Sequence, residues 1–68
     1  MLSARILELD REIRKLKPVA ERVHRLAQGL PAAERNAYMI LRHLEMLEIE
    51  VCDVVTALEA GRDTGEET

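Results

Sequence analysis

The sequence predicts an all-α fold: an antiparallel two-helix hairpin, coiled-coil-like, that dimerises into a four-helix bundle. Three observations predict it. Apolar residues recur at spacings of three and four along both halves of the chain. A Gly29-Leu30-Pro31 step separates the halves. The composition is that of helical bundles, 47% hydrophobic and 34% charged, with Tyr38 the only Phe, Tyr or Trp.

Helix 1 is expected over about residues 2–28. Its apolar series is Leu2, Ile6, Leu9, Ile13, Leu16, Ala20, Val23, Ala27 and Leu30. The spacings alternate between four and three without a break, which keeps one stripe on one helical face. Pro18 interrupts the composition but not the phase. It removes one helical hydrogen bond and crowds the preceding turn, at a cost of about 3 kcal/mol. A break there would leave Lys17 as a poor N-cap, so a kinked but continuous helix is expected.

The turn is expected at residues 29–31. Gly29 suits the left-handed conformation just past a helix end. Leu30 is expected to fold back on the last turn as a hydrophobic clasp. Pro31 suits the first position of the next helix, where a missing N–H costs nothing. Helix 2 is expected over about residues 31–60, with the series Ala37, Ile40, Leu44, Leu47, Val51, Val54 and Leu58. Pairing the two series across the turn, Val23 with Ile40 and so on to Ile6 with Leu58, keeps one pivot between residues 31 and 32. Two unrelated heptad stretches would not need to share a pivot. The helical hairpin therefore occupies residues 1–60, and residues 61–68 are expected to be a disordered acidic tail without an apolar anchor.

A chain of 68 residues buries only about 60% of its unfolded surface and is marginal alone. Small scaffolds draw support from disulfides, a metal or another chain. Cys52 is the only cysteine, so no disulfide forms within the chain. That usage suits a reducing cytoplasm, and neither a signal peptide nor a membrane-spanning run is apparent. Self-association is the remaining support. Helix 2 carries apolar residues outside its main series, and these are the expected partner interface: Tyr38, Leu41, Met46, Ile49, Cys52 and Val55. Charge favours pairing as well. Residues 1–30 hold seven Lys/Arg against four Asp/Glu, and residues 31–60 hold two against six.

Candidate chemistry is sparse. Arg11, Arg14, Lys15, Arg22 and Arg25 lie opposite the apolar stripe of helix 1 and form the face open to RNA or a protein partner. No aromatic side chain interleaves them for base stacking, and the whole chain is acidic, so nucleic acid is the lesser alternative. His24 and His43 lack a metal-binding spacing. The acidic run Glu45, Glu48, Glu50 and Asp53 has no pocket in which to do acid–base work. Cys52 has no base beside it in sequence. We therefore expect no enzyme, no catalytic or metal site, no cofactor and no membrane partner.

The segment Val23-His24-Arg25-Leu26-Ala27-Gln28-Gly29-Leu30-Pro31, preceded by the charged stretch "ELDREIRKL", resembles the Rop-like family of small two-helix proteins associated with nitrogen-fixation gene clusters. Members carry a turn segment close to "LHDLAEGLP". His24, Leu26, Ala27, Gly29, Leu30 and Pro31 match it, whereas Arg25 and Gln28 depart where the family tends to have acids. The resemblance implies a rod-shaped dimer of hairpins and an accessory, protein-interacting role in nitrogen fixation. The alternatives are an RNA-binding regulator that uses the basic face of helix 1, and a co-chaperone or adaptor like those of type III secretion systems.

Overall fold

The computed structural model describes residues 2–65, and of residues 61–65 the backbone alone. The described residues are helical, with no strand among them. Helix α1 spans Ala4–Leu26. Helix α2 spans Pro31–Leu47, a π-helical turn spans Glu48–Cys52, and helix α3 spans Asp53–Gly65. The last three elements follow one another without a gap and form a second helical rod. It runs through residues 61–65, where the sequence suggests a tail; residues 66–68 of that tail lie outside the described residues.

Local chemistry accounts for the ends. The Ser3 hydroxyl accepts the Ile6 N–H at 3.1 Å, satisfying one of the open donors at the start of α1. Helix α1 then passes through Pro18 unbroken. At the far end, the Leu30 N–H donates to the Ala27 carbonyl at 3.1 Å. Gly29 stands at the third position of that turn with φ +95°, the only positive φ among the described residues. A side chain there would meet no neighbour, so the demand for glycine is a backbone demand. Pro31 opens α2, and the Leu30 carbonyl accepts the Glu34 N–H at 2.7 Å. Leu30 itself is exposed. The clasp suggested by the sequence is absent because the turn points its side chain into solvent.

The two rods pack side by side along the 23 residues of α1, about 35 Å, in a chain whose principal extents are 53 × 21 × 13 Å. The Cα radius of gyration is 15.7 Å, against about 11 Å for a compact domain of this length. Contacts pair early residues of the first rod with late residues of the second. Asp10 meets Cys52, Lys17 meets Glu48, and His24 meets Tyr38. These pairs centre on residues 31–33, where the sequence register puts the pivot.

The rotation of the rods departs from the sequence reading. Buried residues of the seam include Ile13, Ala20, Ala27, Ala37, Leu44, Cys52 and Val55. Ile13, Ala20, Ala27, Ala37 and Leu44 belong to the expected stripe. Of its other members Leu2 and Val51 are half-buried, whereas Ile6, Leu9, Leu16 and Val23 on the first rod, and Ile40, Leu47, Val54 and Leu58 on the second, are exposed. Their places are taken by the next residue along, Asp10, Lys17 and His24 on one side and Leu41 and Glu48 on the other. One residue is about 100° of helix, so the seam runs along the edge of the apolar stripe rather than its centre. The π turn contributes at the open end. Its Asp53 N–H to Glu48 carbonyl bond reaches five residues, and the wider turn brings Val51 and Cys52 together onto the seam.

Candidate functional site

The seam divides the molecule into two unlike faces. Asp10, Lys17 and His24 meet the second rod on one face. Residues one step before them, Leu9, Leu16 and Val23, open onto the other, together with Ile40, Leu47 and Val54.

The first face is polar and paired. The buried Asp10 carboxylate accepts the Arg14 Nε–H at 2.9 Å. Arg14 reaches across with Nη2 to the Thr56 hydroxyl at 3.2 Å. The Cys52 thiol donates to the Asp10 carbonyl oxygen, with Sγ 3.8 Å away. Half-buried Lys17 donates to Glu48 Oε1 at 2.9 Å. The His24 and Tyr38 rings stand 5.9 Å apart, tilted by 50°, and the Arg42 guanidinium lies 5.9 Å from the centre of the Tyr38 ring. The Cys52 thiol close by and the Arg14 guanidinium hold the Asp10 carboxyl below its ordinary value, against the opposing effect of burial. Burial first, and the Asp10 carboxylate second, push the Cys52 thiol up to about 11. Cys52 is therefore a protonated seam residue at neutral pH, without thiolate reactivity.

The second face is apolar and open. Leu16 is 51% exposed and Ile40 53%, whereas Ile13 and Val55 in the seam are 2% exposed. Near the open end of the rods Leu2, Ile6, Leu9, Val51, Val54 and Leu58 line a groove of about 190 Å³ with Glu50 also on its lining. The chain exposes 5436 Å² in all, about 1,100 Å² more than the roughly 4,300 Å² of a compact 7.7 kDa monomer.

The sites suggested by the sequence separate accordingly. Of the expected partner residues, Tyr38, Met46 and Ile49 are exposed, but Leu41 is half-buried and Cys52 and Val55 are buried between the rods. The last three pack between the rods, Cys52 and Val55 with almost no free surface. They went inward because the rotation of the second rod turns Ile40, Leu47 and Val54 outward in their stead. Of the five cations on helix 1, Arg14 is engaged by Asp10 and Lys15 by Glu12 at 3.0 Å. Arg11, Arg22 and Arg25 are exposed and in no ion pair among the described residues. In the turn motif His24 and Ala27 pack inward, Gly29 makes the turn, Pro31 starts α2, and Leu26 and Leu30 project. His24 packs against Tyr38 with the rings tilted, and no three His, Cys, Asp or Glu side chains gather as a metal site among the described residues. No described helix is long and apolar enough to cross a membrane.

Sequence reasoning missed the Asp10–Arg14–Cys52–Thr56 cluster. Its only local signal is the i, i+4 spacing of Asp10 and Arg14; the other two members are 42 residues away from their partners. Comparison with family models, curated proteins and solved structures found no match to this chain.

Proposed function

We propose that this chain is an antiparallel helical hairpin that works by association: a non-enzymatic interaction factor that pairs with its own copy to form a four-helix bundle. The observation that supports this reading is the open apolar face. A stable domain needs at least two packed layers around its core. The thinnest dimension here is 13 Å, the width of one helix with its side chains. The chain is one layer with half of its heptad stripe uncovered, and another chain has to supply the second.

An accessory role beside nitrogen-fixation genes, implied by the turn motif, belongs to the same reading, because such a role requires docking rather than chemistry. The polar face argues the same way. Its charged groups are spent on one another in Asp10–Arg14 and Lys17–Glu48, and its one thiol is held protonated.

Sedimentation equilibrium over the micromolar range tests the proposal. A dimeric mass with concentration-dependent melting is expected. A chain that stays monomeric and fully helical throughout that range would overturn it.

A further inference from the structure

We infer that the second copy seats on the face formed by Leu9, Leu16, Val23, Ile40, Leu47 and Val54, with the two turns at opposite ends of the assembly. This inference rests on the dimeric reading above and specifies its face and direction.

The face follows from what each alternative has to desolvate. Covering the polar face would remove water from the Lys17–Glu48 and Asp10–Arg14 pairs, which are already satisfied, and gain little apolar contact. Covering the apolar face buries leucine, isoleucine and valine side chains and leaves both ion pairs in place. The heptad phase agrees. In a four-helix bundle the stripe of each helix points at the bundle axis, which lies over the middle of a helix pair rather than between its two helices. Leu9, Leu16 and Val23 beside Ile13 and Ala20, and Ile40, Leu47 and Val54 beside Ala37 and Leu44, are aimed in that way. Met46 and Ile49, although exposed, stand about 100° and about 160° around the helix from Leu47.

The direction follows from shape and charge. The groove of about 190 Å³ lies at the open end, lined by Ile6, Leu9, Val54 and Leu58 among others. At the turn end the seam is narrow, built from Ala20, Ala27 and Ala37, and Val23, Leu30 and Ile40 project beside it. Opposed turns set each projecting end over the partner's groove. Turns at the same end would set groove against groove and leave two unfilled hollows facing each other. Side-chain charge points the same way. Residues 18–47 carry Arg22, Arg25, Arg35 and Arg42 against three glutamates, a balance of +1. Residues 2–16 and 49–60 carry four cations against six acids, a balance of −2. Opposed turns lay the positive half of each copy along the negative half of the other, which selects orientation more than strength.

Under this arrangement the twofold axis passes near Leu16 and Leu47, so Leu16 of one copy lies close to Leu16 of the other. The turn-end residues Val23 and Ile40 meet the partner's Leu9 and Val54. Isotope-filtered NOE spectra of a mixed sample, with one copy ¹³C-methyl-labelled and the other unlabelled, read this without any substitution. Cross-peaks between copies from Ile40 and Val23 to Val54 and Leu9 are expected. Peaks joining Ile40 of one copy to Ile40 or Val23 of the other would overturn the direction, and peaks from Met46 and Ile49 would overturn the face; either would leave the dimeric reading standing. A monomeric mass with no cross-peaks between copies would overturn both. As a second measurement, Leu16→Glu places two carboxylates at the axis and is expected to raise the dimer dissociation constant at least about 100-fold. Ile49→Glu is expected to change it less than about threefold. The reverse order would refute the assignment of the face.

Discussion

The thiol of Cys52 offers a direct test of the seam. It is 4% exposed, donates to the Asp10 carbonyl, and its pKa is raised from 9.0 to about 11. Only the thiolate attacks a disulfide reagent. A rise of two units leaves about 100-fold fewer thiolates below pH 9 than in the unfolded chain, and burial slows access further. At pH 8 the native chain should therefore react with an aromatic disulfide at least about 100 times more slowly than the chain in urea. Asp10→Asn removes the negative charge that disfavours the thiolate. It should speed the native reaction while leaving it slower than the unfolded one, since burial is the larger cause. The same groups give stability a pH dependence. The raised thiol contributes fully below pH 9, where neither state has lost the proton, and its contribution disappears as pH climbs toward 11 because the unfolded chain ionises first. The depressed Asp10 carboxyl contributes fully above its ordinary value of 3.8 and loses that contribution as pH falls below it, through the lowered native value. A native reaction rate within tenfold of the unfolded rate, with helix content intact, would refute the placement of Cys52 between the rods.

Three further substitutions probe the packing and the backbone. Leu44→Ala empties the best-buried leucine of the seam and should cost about 3 kcal/mol in urea unfolding, whereas exposed Met46→Ala should stay within about 0.5 kcal/mol. Gly29→Ala meets no steric neighbour but holds φ at +95°, so it should cost about 1–2 kcal/mol through the backbone alone; no loss would mean that the turn relaxes. Pro18→Ala restores an N–H within a continuous helix and should stabilise the chain by up to about 3 kcal/mol. If sedimentation instead showed a weakened dimer, the proline would be shaping the interface.

Much of the local structure was legible because its causes are local. The alternation of threes and fours predicts two helices, and Pro18 does not break the first because the apolar phase runs through it. Gly29 and Pro31 announce the turn by the backbone angles that they permit. The pivot followed from two apolar series that share one centre. The candidate site was less legible. Arg14 reads as part of a basic face, yet its guanidinium is turned to Asp10 and Thr56. Cys52 and Val55 read as surplus apolar surface, yet they are buried in the seam. In each case the deciding partner lies on the other rod, and spacing along one helix carries no information about it.

The sequence by itself determined that the chain is helical, where it turns and which residues form its apolar stripe. Only the tertiary structure decided which edge of that stripe closes the seam. The positions Ile13, Ala20, Ala27, Ala37 and Leu44 belong to either choice. What tips the balance is the company of their neighbours: Asp10, Lys17 and His24 find Cys52, Glu48 and Tyr38 across the seam. Leucines at 9 and 16 need no specific partner and can wait for any apolar surface. Hydrogen bonds and ion pairs are directional and are made between named atoms, whereas apolar burial is not directional. The rods meet where their polar groups are matched, and the unmatched apolar face stays open.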